Sequence, residues 1–227
     1  MIVSHKHKFI FIKTEKTAGT SVEIALSKYC GPDDIITYIS PKDEEKRREM
    51  GYPGAQNYKI PFSRYSKLDY LRLLYHRKRR RYYNHMRASE MKPYLGDEVW
   101  NSYFKFCFER NPWDRIVSFY YWRFRKEPRP SVSEFVQSIE ANKLRAFDLY
   151  TMTSEIVVDK VYLFEQLGDA MEDIRKRLNI EEPIELPRAK GHFRKDRRNY
   201  REILSEQDRE KIAKVYAREI AYFGYEW

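Results

Sequence analysis

The sequence predicts an α/β fold: one domain spanning 1–227, with a mostly parallel central sheet flanked by helices. Three observations predict it. Short apolar runs of strand length alternate along the chain with segments of helical periodicity, the pattern that builds a parallel sheet covered on both faces. The most strand-like run, Tyr103–Glu109, passes directly into Asn111-Pro112, a helix-opening pair. The chain has 227 residues, 42% of them hydrophobic, enough for one substantial core but short of two domains.

The elements follow in order. Phe9–Lys13 is a brief apolar run, expected as a buried strand. After a polar turn, Val22, Ala25, Leu26 and Tyr29 recur at helical spacing until Gly31-Pro32 ends the helix. Ile35–Ile39 reads as the next strand. From Pro41 to Tyr75 the pattern is irregular and punctuated by Gly51, Pro53, Gly54 and Pro61. The interval of about 41–100 is expected to form an irregular or helical excursion that helps wall an acceptor site. A short helix is expected at Ser89–Leu95. The strand Tyr103–Glu109 precedes a helix carrying Ile116, Val117, Tyr120 and Tyr121. Ser131-x-x-Glu134 is a capping box, with Phe135 and Ile139 as its apolar stripe. Lys160–Phe164 reads as a late strand. The helix after it shows Leu167, Met171, Ile174 and Leu178 on one face, and a final helix starts near Ser205. No internal repeat is evident.

Composition narrows the function. The net charge of +10 favours polyanions: nucleic acid, acidic glycans or phosphate-rich ligands. No stretch approaches the roughly 18 uninterrupted apolar residues of a membrane span. The N-terminus lacks the apolar region and cleavage site of a signal peptide. With only Cys30 and Cys107 present, the chain reads as cytoplasmic. Neither basic cluster, Arg77–Arg81 nor Arg194–Arg201, is interleaved with the aromatic platform of a single-strand binder, and no DNA-binding motif is visible.

Two motifs suit anions. Lys16-Thr17-Ala18-Gly19-Thr20-Ser21 lies between a strand and its helix, a P-loop-like phosphate-binding turn. Small residues let the backbone curl, helix-terminal N–H groups face the ligand, Thr20 and Ser21 offer hydroxyls, and Lys16 adds mobile charge. An ordinary capped strand-to-helix turn would use similar residues. The lysine precedes the glycine, so this is not the Gly-Lys-Ser/Thr loop of nucleotide hydrolases. In the second motif, Arg110–Ser118, the arginine sits at the carboxyl end of a strand, where ligands gather in α/β sheets. Ser118 follows about two helical turns later, so a guanidinium and a hydroxyl could meet on one phosphate. A buried arginine paired with a carboxylate would look the same.

Taken together, Phe9–Ile12 with Lys16–Ser21, and Phe106–Tyr120 with its Arg110-Asn111-Pro112-Trp113-Asp114-Arg115 core, resemble the two donor-binding motifs of the sulfotransferases that use 3′-phosphoadenosine 5′-phosphosulfate (PAPS). The resemblance is nearest to the carbohydrate-type branch of heparan 2-O and chondroitin or dermatan enzymes and their soluble bacterial relatives. It extends through Val161–Leu167 and Phe223-Gly224-Tyr225. It implies a phosphosulfate cradled by Lys16, Thr17, Ala18, Gly19, Thr20 and Ser21, and a 3′-phosphate held by Arg110 and Ser118. Many relatives carry Pro where this chain has Glu15, which is expected to point away from the anion. The family's late donor-binding Asn is missing, and Lys190 and Arg194 are the residues assigned there.

Sulfuryl transfer to a hydroxyl needs a proton acceptor, and a neutral imidazole suits it. The resemblance puts that base at His85, with His76 and His192 as runners-up and a structural histidine as the alternative. Lys16 would neutralise charge on the leaving phosphate, with PAP as product. No metal is required, and no Cys/His/Asp cluster has ligand spacing. The acceptor is expected to be a hydroxylated carbohydrate or small metabolite, itself anionic in one reading. Arg77–Arg81 reads as a solvated face or as a guide for anions. The alternative functions are a P-loop-type nucleotide kinase and a non-catalytic basic protein binding RNA or other polyanions.

Overall fold

The computed structural model describes residues 1–138, 146–187 and 196–227. Its strands are β1 (Ile2–Ser4), β2 (Phe9–Phe11), β3 (Ile35–Ile36), β4 (Phe104–Glu109), β5 (Thr151–Met152), β6 (Glu155–Ile156) and β7 (Lys160–Leu163). Five form the central sheet in the order β3-β1-β2-β4-β7, while β5 and β6 make a separate antiparallel hairpin. The parallel heart expected from the sequence is β2-β4-β7, with Phe11 opposite Phe106 and Phe108 opposite Tyr162. The sheet as a whole is mixed, because β1 runs antiparallel to both β2 and β3. Three residues ending in a basic turn show no periodicity, so β1 was not distinguishable as a strand.

The helices are α1 (Gly19–Ser27), α2 (Pro41–Glu49), α3 (Lys67–His76), α4 (Ala88–Leu95), α5 (Asp97–Ser102), α6 (Pro112–Arg123), α7 (Val132–Gln137), α8 (Leu167–Arg177), α9 (Tyr200–Ile203), α10 (Glu206–Val215) and α11 (Ala217–Phe223). Side chains alternate across strands, and each face of the sheet gathers its own core. Phe9, Phe11, Phe106, Phe108 and Tyr162 pack beneath Val22, Ala25 and Leu26 of α1 and Ala170, Met171 and Ile174 of α8. Ile10, Ile12 and Cys107 face Met91 and Leu95 of α4 and Trp100 of α5. A third cluster joins α6, α7 and α10 through Trp113, Ile116, Val117, Phe135 and Ile212. Cys30 and Cys107 are free thiols, both buried. Among the described residues no helix is long and apolar enough to cross a membrane.

Several elements differ from their sequence reading. The stretch 41–75 contains two capped helices. Ser40 accepts from the Asp43 N–H and Pro41 opens α2, while Ser66 and Asp69 form a capping box on α3. Helix α2 is polar on nearly every side, so no apolar period marks it. The final helix is two helices, α10 and α11, broken at Tyr216. The Ser131–Glu134 box is in place, and its Glu134 N–H donates to the Ser131 hydroxyl at 3.1 Å; Ile139 lies outside the described residues.

One buried ion pair fixes α6 to the end of β4. Arg115, fully buried, donates to the Glu109 carboxylate, which also accepts from the Tyr150 hydroxyl at 2.8 Å. The guanidinium lies over the Tyr216 ring at 4.8 Å. Removing one member of such a pair strands a charge in the core, at a cost of about 3–5 kcal/mol. Arg115→Met is therefore expected to lower stability by about that amount in urea unfolding, and adding Glu109→Gln should recover part of the loss.

Candidate active site

The loop between β2 and α1 lies over the carboxyl end of the parallel strands. The Ile12 N–H still pairs with the Phe106 carbonyl at 2.9 Å. The Thr14 hydroxyl then donates to the Phe108 carbonyl and contacts the Thr17 hydroxyl at 2.9 Å, lashing the loop to β4. Lys16 and Ala18 adopt left-handed backbone conformations, with φ of 63° and 57°. No side chain caps α1, and the first amides of a helix have no acceptor within it. A Cβ on Gly19 would stand 2.8 Å from Lys13 Cγ and 3.3 Å from the Thr14 carbonyl. Glycine is required there by close approach, which lets the helix start sit directly on the loop. The Thr17 side chain is fully buried and turned toward Thr14. Its hydroxyl braces the loop, leaving Thr20 and Ser21 as the motif's other hydroxyls.

The start of the loop is held by charge. The Lys13 ammonium meets Glu23 of α1 at 2.7 Å, both side chains being buried. Arg47 of α2 approaches the same carboxylate at 3.2 Å, and the Thr37 hydroxyl donates to it at 3.0 Å. Burial alone would raise the Glu23 carboxyl, but the neighbouring cations, Lys13 foremost, hold it down to about 2.

This network also brings in His85. Asn84 accepts from Lys13 at 3.3 Å, lies 3.3 Å from the Thr37 hydroxyl and donates to the Tyr38 carbonyl at 2.6 Å. The next residue, His85, has φ of 60° and sets its Nδ1 2.9 Å from the Lys13 carbonyl. A carbonyl only accepts, so Nδ1 carries the proton and the lone pair belongs to Nε2. Burial, with the Lys13 charge behind it, pulls His85 down to about 4. The imidazole is neutral at pH 7, the state a general base needs.

The second motif meets the same loop. Arg110 donates to the Lys16 carbonyl at 2.8 Å and to Asp114 at 2.9 Å, and it stacks on Phe164 at 4.1 Å. The carboxylate pairing weighed from the sequence is thus present, alongside a direct link between the two motifs. Described residues engage three of its five N–H groups, two of them at Asp114. Asp114, Ser118 and Trp122 form an i, i+4 stripe on α6. Asp114 holds Arg110, and the Lys16 ammonium lies 5.4 Å above the Trp122 ring. Ser118, half-buried, sits between them on that face.

Other sequence candidates are more scattered. Lys190, Arg194 and His192 lie outside the described residues. Their neighbours Arg197 and Arg198 line a cleft of about 300 Å³ with Asp114, Asn199 and Tyr200. Glu15 is half-buried, and burial raises its carboxyl against the pull of Arg115 and Lys16. His76 is exposed at the end of α3. Sequence reasoning missed Lys13, Glu23, Thr37 and Asn84. Only Asp114, four residues after Arg110, carried a readable spacing signal.

The match to known proteins covers the chain: residues 1–226 fit the model of the sulfotransferase family. The chain belongs to the sulfotransferase family. Sulfuryl transfer is accordingly its reaction class. An Archaeoglobus fulgidus protein described as uncharacterized is 32% identical to this sulfotransferase over 97 residues, 40% of this chain and 81% of its own. No solved structure matches the chain.

The His85 geometry can be checked directly in this sulfotransferase. Nitrogen-15 NMR is expected to show an Nδ1–H tautomer that titrates near pH 4, against about 6.5 for a free histidine. As pH falls through that interval, the unfolded chain takes up the proton before the folded one. His85 therefore favours the folded state above about 6.5 and progressively loses that contribution toward 4. A free histidine titration at this residue would overturn the contact with Lys13.

Proposed function

We propose that this sulfotransferase takes its sulfuryl group from PAPS and delivers it to a hydroxyl of a carbohydrate or small metabolite, with His85 as the base. The observation that carries the reading is that both functional side chains bond to one loop: His85 to the Lys13 carbonyl and Arg110 to the Lys16 carbonyl. A donor with two anionic ends suits this arrangement. The curled backbone at Lys16–Ser21, with the close approach at Gly19, fits a phosphosulfate. Arg110 and Ser118, with the cleft lined by Asp114, Arg197 and Asn199, fit a 3′-phosphate.

In the proposed step the acceptor oxygen attacks sulfur in line with the bond from sulfur to the bridging oxygen of the phosphate. The new S–O bond forms as that bond breaks, and the acceptor proton passes to His85 Nε2. The Lys16 ammonium neutralises the negative charge gathering on the bridging oxygen, and PAP leaves. The acceptor would enter from the side of the 41–100 excursion. Arg87, Ser89 and Lys92 from that segment line a cleft of about 510 Å³ with Thr151, Ser154 and Arg218. Asp148 also lines it and pairs with Arg218 at 3.2 Å, which leaves Arg87 and Lys92 as the cations nearest to meeting an acidic group on the acceptor.

The test is transfer of labelled sulfate from PAPS to a panel of hydroxylated acceptors, read by mass spectrometry; transfer from ATP alone would instead support a kinase. Lys16→Ala is expected to lower kcat about 10²–10³-fold and His85→Ala about 10²–10⁴-fold. Calorimetry of His85→Ala should show PAP affinity nearly intact, and its collapse would remove the base assignment. Arg110→Ala should weaken PAP binding at least about tenfold, as expected for losing a charged hydrogen bond. Unchanged affinity would remove the 3′-phosphate role.

A further inference from the structure

Helix α3 is turned inside out relative to an ordinary surface helix. Its inward side is held by Asp69, which is 3% exposed and accepts from Arg80 at 2.7 Å and Tyr94 at 3.1 Å. Its outward side carries Leu68, Leu71, Leu74 and Tyr75, at 55%, 51%, 75% and 84% exposure. At about 100° per residue these four fall within one arc of about 120°, opposite Asp69 and the half-buried Leu73. Phe62, just before the helix, is also exposed. Between positions 62 and 81 stand eight Lys or Arg residues and a single acid, Asp69, whose charge Arg80 already meets. Arg77, Lys78 and Arg79 are exposed at the helix's end, and Arg79 stacks over Phe62 at 4.3 Å.

We infer that α3 and the Arg77–Arg81 run form a docking surface for an anionic lipid bilayer. Leucines and tyrosines enter the interface between headgroups and acyl chains, and the flanking cations meet lipid phosphates. Charge selects this occupant. A second copy would set the same eight cations against each other. A soluble polyanion, glycan or nucleic acid, would satisfy the arginines but leave the leucines in water. The surface shares no residue with the loop at Lys13–Ser21, and its binding needs neither donor nor acceptor.

The experiment is co-sedimentation of the full chain with vesicles of phosphatidylcholine alone or mixed with phosphatidylglycerol. Binding is expected to the mixed vesicles and to weaken with salt. Each surface cation contributes roughly fivefold, so Lys78→Gln with Arg79→Gln should weaken binding about thirtyfold. Leu71→Glu with Leu74→Glu should abolish it while leaving Tm and transfer to a soluble acceptor unchanged. Equal or absent binding to both vesicle types would overturn the inference. So would loss of vesicle binding only in step with thermal unfolding, or a wild-type dimer in sedimentation analysis that the leucine variant makes monomeric.

Discussion

The ammonium of Lys13 and the carboxylate of Glu23, 2.7 Å apart and shut away from water, hold the candidate site in register. Isolated charges could not remain in such a place, since desolvation costs several kcal/mol per ion. They persist because Arg47, Thr37 and Asn84 complete the set. The pair joins the end of β2 to the first turns of α1, so the loop between them has little freedom. Two carbonyls of that loop then act as sockets, Lys13 receiving His85 and Lys16 receiving Arg110. Groups from distant parts of the chain are thereby indexed to one short piece of backbone.

The α6 stripe completes the arrangement from the other side. Asp114 tempers the charge of Arg110 and aims it, while Trp122 parks the Lys16 ammonium. A cation over an aromatic ring is stabilised by about 0.5–1 kcal/mol at a partly exposed site. A hydrogen bond to an anionic group is worth about 1.5–3 kcal/mol. Contact with the Trp122 ring is therefore the weaker of these two kinds of interaction.

Strand β2 was legible as a short apolar run, β4 and the edge strand β7 by their aromatic and β-branched residues, and α6 because Asn111 and Pro112 announce a helix start. Strand β1 was too short to show a period, and α2 too polar to show an apolar face. Both candidate anion motifs could be picked out because each is contiguous: Lys16–Ser21 and Arg110–Ser118. The network around them could not be, since Lys13 to Asn84 spans 71 positions and Lys13 to Glu23 spans ten. Spacing reveals neighbours along a helix or strand. It says nothing of a lysine and an asparagine joined only through tertiary packing. His85 was singled out by the family resemblance as a residue type suited to a base; its attachment to a loop carbonyl and its left-handed backbone were not visible.

The two thiols open a different use of the molecule. Cys30 and Cys107 belong to opposite faces of the sheet, one beneath α1 and the other against α4 and α5. Burial raises both thiols, so neither forms a reactive thiolate readily while the chain is folded. An alkylating reagent would then count openings rather than side chains: Cys30 clocks exposure of one core, Cys107 of the other. The ratio of the two labelling rates, read without any engineered probe, would tell whether the two layers come apart together or in turn.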